Sequence, residues 1–242
     1  MAADGRRHII AIGGGMLAPE GQVPVYLANA LELTGRREPR LCILATADGD
    51  NPRWTLGMYD RLAGHPVRVR HLALFPIRNV RDPQDLRLSQ DMIFVGGGSV
   101  ANMLAVWRVH GLDVILRKAW QAGVVLTGSS AGGICWFEGG TTDSFGRELR
   151  AFTEGLALLP GSYCPHYEPG RPPLYHRLIT DGALPDGIVC DNGVRAHFTD
   201  DTLTEVIADR PTSSAYRVSS FSGSGVTETR LPTRCLDAAE PR

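Results

Sequence analysis

Short, unbroken apolar runs alternate along the first half of the chain with longer segments whose apolar residues recur at helical spacing. His8–Ile12, Leu41–Ala45, Val67–Leu74, Met92–Val95 and Val124–Thr127 have strand length. Val23–Leu33, Pro52–Ala63, Val100–His110 and Val114–Ala122 lie between them and have helical length and periodicity. Runs that stay apolar without alternation suit strands covered on both faces. The order therefore predicts an α/β fold with a mostly parallel sheet and helices on both faces. Beyond Gly139 the runs shorten and Pro, Gly and Asp become frequent, which reads as added strands and loops around one helix near Pro173–Ile179. The stretch 231–242 reads as a flexible tail, and no internal repeat or low-complexity linker divides residues 1–242, so a single domain is expected.

In such sheets ligands gather at the carboxyl ends of the strands, and small-residue turns fall there. They are Gly13-Gly14-Gly15, Gly96-Gly97-Gly98-Ser99 and Gly128-Ser129-Ser130-Ala131-Gly132-Gly133. The last joins an apolar strand to the helix-like Ile134-Cys135-Trp136-Phe137. A serine set between small residues at a sharp strand-to-helix turn has its oxygen lifted clear of the backbone, which is the geometry of a nucleophile elbow. Ser130 is thus the candidate nucleophile. A glycine turn after a strand is also ordinary punctuation, so the reading requires a base, an orienting acid and an oxyanion hole elsewhere.

Composition narrows the class of function. The 242 residues are 43% hydrophobic and 21% charged, with 25 basic and 26 acidic side chains and a net charge of −1. No global field favours nucleic acid or an anionic membrane. Five cysteines, without a C-x-x-C pair, suit reduced thiols better than a disulfide framework or a zinc site. His8–Ile12 is too short for a signal peptide, and no segment approaches the roughly 20 apolar residues of a membrane span. A soluble cytoplasmic protein with no nucleic-acid or membrane partner, no metal and no cofactor is expected. No long apolar surface stripe is evident, so the oligomeric state stays open, a homodimer included.

His166, in Tyr163-Cys164-Pro165-His166-Tyr167, lies downstream in a loop and suits a general base. Two acids compete to orient it. Asp191 follows the apolar Ile188-Val189-Cys190, and a carboxylate at a strand end is held rigidly; Asp191-Asn192-Gly193 is equally strong turn chemistry. Asp143, in Thr141-Thr142-Asp143, is the other, with a solvated loop as its ordinary role. Backbone N–H groups of Ala131 and Gly98 are the candidate oxyanion donors on the substrate side.

Taken together, Gly96-Gly97-Gly98 before a helix, Gly128-Ser129-Ser130-Ala131-Gly132, Thr141-Thr142-Asp143 and Pro165-His166-Tyr167 resemble the motifs of peptidase E-type serine hydrolases. That family includes aspartyl dipeptidases and cyanophycinases, and its fold is similar to class I glutamine amidotransferases with serine in place of cysteine. The resemblance runs in order from about Ile9 to Phe198. It implies a serine exopeptidase acting on short peptides through an acyl-enzyme. Ser130 is then the nucleophile, His166 the base, and Gly98 with Ala131 the oxyanion donors. The family's late glutamate falls on Asn192 in an ungapped match, with Asp191 one place earlier. Asp191 is taken as the orienting acid and Asp143 as the second candidate. Ser99 stands where aspartyl dipeptidases carry asparagine, and the arginine that receives the substrate's aspartate falls near Leu174, flanked by Arg171 and Arg177. A preference for N-terminal aspartate is correspondingly weakened.

Two rival readings follow from the same residues. Gly13-Gly14-Gly15-Met16-Leu17-Ala18 fits a dinucleotide fingerprint, but Pro19-Glu20-Gly21-Gln22-Val23-Pro24 interrupts the helix whose N-terminus would hold the phosphates. A catalytically inactive or amidotransferase-like protein of the same fold is the other. Thiol chemistry there would have to use Cys135 or Cys164.

Overall fold

The computed structural model describes residues 2–15, 25–84, 89–221 and 225–236. The chain lays down β1 (His8–Ile12), β2 (Arg40–Leu44), β3 (Arg68–Leu72), β4 (Met92–Val95) and β5 (Val125–Ser129) as a parallel block in the spatial order β1-β5-β4-β2-β3. It then crosses into a second sheet with β6 (Gly139–Thr142), β7 (Arg150–Phe152), β8 (Ser162–Cys164) and β9 (Gly187–Cys190). It returns as β10 (Val194–Thr199) and β11 (Thr202–Ala208), crosses again as β12 (Ala215–Phe221) and β13 (Gly225–Arg230), and closes with β14 (Arg234–Cys235). The main sheet has eight strands and the second six.

The helices among the described residues are α1 (Val25–Glu32), α2 (Pro52–Leu62), α3 (Val100–His110), α4 (Leu112–Gln121), α5 (Ala131–Ile134) and α6 (Arg171–Thr180). Asn51 opens α2 by accepting from Arg53 N at 3.0 Å, and Ser99 Oγ opens α3 by accepting from Asn102 N at 3.2 Å. The period-2 geometry of the strands sorts the core into two faces. Ile10, Ile12, Leu41, Ile43, Met92 and Phe94 pack with Leu27 of α1 and Met58 and Leu62 of α2. Ile9, Ala11, Cys42, Leu44, Ile93 and Val95 pack with α3, α4 and α5, and this cluster continues into the second sheet through Tyr163, Ile188 and Cys190. The outer face of the second sheet is covered by Tyr175 and Ile179 of α6. Among the described residues no helix is long and apolar enough to cross a membrane.

The main sheet is mostly parallel: of its seven strand pairs only β10 with β1 and β10 with β11 are antiparallel. Two expectations change. Strand β3, expected to be buried, lies at the edge of the sheet, and its first four residues are exposed or half-buried. The last stretch is no simple tail, because β14 pairs in parallel with β11 and Leu236 N donates to Ala208 O at 2.9 Å. Residues 237–242 lie outside the described residues.

At the start of β1, away from the carboxyl ends, His8 Nδ1 lies 2.9 Å from His197 Nε2 on β10, and His8 Nε2 lies 3.0 Å from Asp4 Oδ1. Burial, with His8 beside it, pushes His197 from the ordinary 6.5 down to about 4. The unfolded chain therefore binds a proton at His197 before the folded chain does. The contribution of His197 to stability is complete above pH 6.5 and should be lost as the pH drops from 6.5 towards 4. Thermal melts across that window should show the loss, and His197→Gln should flatten it.

Candidate active site

Ser130 sits between β5 and α5 with φ +55° and ψ −115°, an angle pair that a non-glycine residue adopts at a cost of about 1–3 kcal/mol. The neighbouring glycines permit the turn. A Cβ on Gly128 would collide with the carbonyl oxygen of Gly132, and a Cβ on Gly132 with that of Val95. Ser130 N is tied to Ile12 O at 3.0 Å, and Ser130 O accepts from Gly133 N and Ile134 N at 2.8 and 3.0 Å. The hydroxyl is thereby projected from the carboxyl end of the parallel block.

His166 comes from the loop after β8 and meets it, with Nε2 2.9 Å from Ser130 Oγ. The backbone at His166 also has positive φ, +51°, and His166 N donates to Gly13 O at 2.8 Å. The turn after β1 is the seat of the ring: Gly14, at φ +111°, lies so close that a Cβ there would overlap the imidazole. Of the dinucleotide-like stretch, Gly13 to Gly15 thus packs against His166 and Asn192, while Met16 to Ala18 and the interrupting 19–24 lie outside the described residues.

The second ring nitrogen departs from expectation. Nδ1 of His166 lies 2.6 Å from Asn192 Oδ1. Asp191 instead accepts from Ser214 N at 2.8 Å through Oδ2, and its backbone oxygen closes the turn by accepting from Val194 N at 3.2 Å. Burial raises its carboxyl above the ordinary carboxylate value. Asp191 is therefore a corner residue of the crossing from β9 to β10, not a partner of His166. Asn192 Nδ2 in turn donates to Glu168 Oε1, a residue two places beyond His166 that sequence reasoning missed. The match of Asn192 to the family's glutamate was the signal for its position; nothing in the pattern around Glu168 marks it.

A cavity of about 220 Å³ opens over the pair, lined by Gly98, Ser130, Ala131, Ile134, Thr141, Thr142, Asp143, Pro165, His166 and Arg171. Gly98 and Ala131 thus face the same space as the hydroxyl, and among the described residues neither N–H is taken by another backbone group. Asp143, exposed, lines one wall of the cavity, and Arg171, half-buried at the start of α6, lines another. Arg177, in the last turn of α6, is exposed and outside it. Burial pushes His166 below its ordinary 6.5, the Asn192 hydrogen bond raises it, Arg171 lowers it, and the charges of Glu168 and Asp143 raise it. At neutral pH the imidazole is consequently unprotonated and free to accept a proton.

The thiols do not compete. All five cysteines are free, burial lifts Cys135 well above the ordinary thiol value, and Cys164, also raised by burial to about 11, accepts from Thr141 Oγ1 at 3.0 Å. Among the described residues no group of three or more His, Cys, Asp or Glu is arranged to hold a metal.

Comparison with known proteins agrees with the motif reading. In solved structures, a peptidase from an acI-B1 Actinobacterium superposes with a TM-score of 0.70 at 15% identity, covering 94% of this chain and 95% of that one. A putative peptidase E protein from Listeria monocytogenes EGD-e gives 0.56 at 15% identity, covering 86% of this chain and all of the other. These likenesses are of fold. In sequence, the chain is 39% identical over 232 residues to the uncharacterized peptidase YgaJ of Bacillus subtilis (strain 168), spanning 95% of this chain and 99% of that protein. Residues 9–206 match the model of Peptidase family S51, and a match of that length places the chain in this family of peptidases.

Proposed function

We propose that the protein is a serine exopeptidase of short peptides, working through an acyl-enzyme on Ser130. The observation that carries this reading is the 2.9 Å approach of His166 Nε2 to Ser130 Oγ at a positive-φ strand-to-helix turn. Ser130 Oγ attacks the carbonyl carbon of the scissile bond while His166 Nε2 takes its proton. The oxygen that becomes negative is received by the N–H groups of Gly98 and Ala131. His166 then protonates the leaving amine, and water, deprotonated by the same nitrogen, releases the acyl group. Asn192 holds the imidazole through Nδ1 where a carboxylate stands in the familiar triad.

The cavity favours a small, doubly charged substrate. At about 220 Å³ it is below the roughly 300–1,000 Å³ of ordinary small-molecule clefts, which suits a substrate as small as a dipeptide. Asp143 offers a partner for the α-ammonium of a peptide and Arg171 one for a carboxylate, either an acidic side chain or the C-terminus. N-terminal aspartate preference is consistent with Arg171 but is not required by it.

A panel of dipeptides and aminoacyl-p-nitroanilides, with aspartyl, neutral and β-Asp-Arg substrates side by side, tests the reading. Cleavage of at least one short peptide, lost in Ser130→Ala, is expected. Arg171→Ala should weaken kcat/KM for acidic peptides by about 10-fold or more relative to neutral ones, the cost of a lost charged hydrogen bond. An equal loss for both would remove Arg171 from substrate recognition.

A further inference from the structure

This inference rests on the serine-peptidase reading above. Asn192 is neutral, so it cannot stabilise an imidazolium as a carboxylate does. A primary amide also has a weakness that a carboxylate lacks. Turned over by half a rotation, it would offer Nδ2 hydrogens to His166, force the proton onto Nε2, and leave no acceptor for the Ser130 hydroxyl.

Glu168 removes that choice. Its carboxylate has only lone pairs to offer, and Asn192 Nδ2 donates to Oε1. Oδ1 must then face His166, where it sits 2.6 Å from Nδ1. An oxygen that can only accept requires Nδ1 to carry the proton. Nε2 keeps its lone pair, 2.9 Å from Ser130 Oγ. The backbone builds this arrangement locally. The positive φ of His166 turns the chain so tightly that Glu168 N donates to His166 O at 2.7 Å, and Gly15 packs beneath Asn192.

We propose that Glu168 is a positioning residue: through the Asn192 amide it fixes the His166 tautomer and sets a negative charge one side chain away from the imidazolium. Asn192 and Glu168 together thus take the part of a single triad carboxylate. The other charges facing His166 are Arg171 from α6, which opposes its protonation, and Asp143 beyond β6, which favours it.

The rate at which diisopropyl fluorophosphate modifies Ser130 of the full chain, followed against pH, reads this directly. In that reaction Ser130 Oγ bonds to phosphorus, the P–F bond breaks, fluoride leaves, and the hydroxyl proton passes to His166 Nε2. Glu168→Gln should melt as the unsubstituted protein does, label about 10-fold more slowly at its plateau, and reach half-maximal rate about half a pH unit lower, because a charge favouring protonated His166 is gone. Asn192→Asp alone sets two carboxylates side by side and should label slowly. Combined with Glu168→Gln it should recover at least the original rate. The amide introduced at position 168 can donate to the carboxylate introduced at position 192, and that carboxylate accepts from His166. An unmoved midpoint in Glu168→Gln, or a double variant no faster than Asn192→Asp, would overturn the proposal while leaving the serine-peptidase reading intact. Absence of Ser130 labelling in the unsubstituted protein would overturn both.

Discussion

Ser130→Ala and His166→Ala are each expected to lower kcat/KM for peptide cleavage by roughly 10⁴-fold or more, and the double variant to cost little beyond either. The expectation follows from the chemistry of the pair. A serine hydroxyl is a weak nucleophile until a base takes its proton, and the Ser130 hydroxyl lies 2.9 Å from His166 Nε2. Removing either partner removes the same step, so the losses do not add. Both residues are held by backbone bonds, Ser130 N to Ile12 O and His166 N to Gly13 O. Truncating either side chain should therefore leave the melting temperature nearly unchanged, or raise it slightly for Ser130. Steady-state kinetics on the best substrate from the peptide panel, with melts of each variant, checks this. Losses that multiply would mean that the two side chains act in separate steps.

Gly14→Ala is expected to lower activity by about 10²-fold or more without touching any reacting atom. A Cβ at Gly14 would overlap Cε1, Nδ1 and Nε2 of His166, so the ring must leave its place between Ser130 and Asn192. The backbone angle of +111° adds strain of about 1–3 kcal/mol for any residue with a side chain. Gly64→Ala is the control. Gly64 also has positive φ, +80°, but a Cβ there meets nothing within 4 Å. It should lose stability by a similar amount and keep its activity. Equal activity losses in both variants would assign the effect to backbone strain and not to the seat of His166.

The centre of the parallel block was legible because its strands are buried on both faces. His8–Ile12 and Met92–Val95 are unbroken apolar runs, and β1 and β4 have those same bounds. Four strands of the second sheet were not, since β6, β7, β8 and β9 are only three or four residues long and carry too few positions for a period to register. Ser130 could be read from its glycine-flanked turn, and His166 from Pro165-His166-Tyr167 downstream of it. The partner of His166 could not. Asp191 and Asn192 are adjacent, but they lie in the turn between β9 and β10, where one side chain goes to Ser214 and the other to His166. Choosing the carboxylate for its charge selected the one that turns to Ser214. Glu168 reaches the site only through the fold, by way of a positive-φ turn at His166 that no residue type announces.

The central claim is that Ser130 is the nucleophile, and mapping a fluorophosphonate adduct by peptide mass spectrometry tests it most directly. One phosphonylated residue is predicted, Ser130, with the adduct absent from Ser130→Ala and formed far more slowly in His166→Ala. An adduct on any other residue, or peptide cleavage undiminished in Ser130→Ala, would contradict the account.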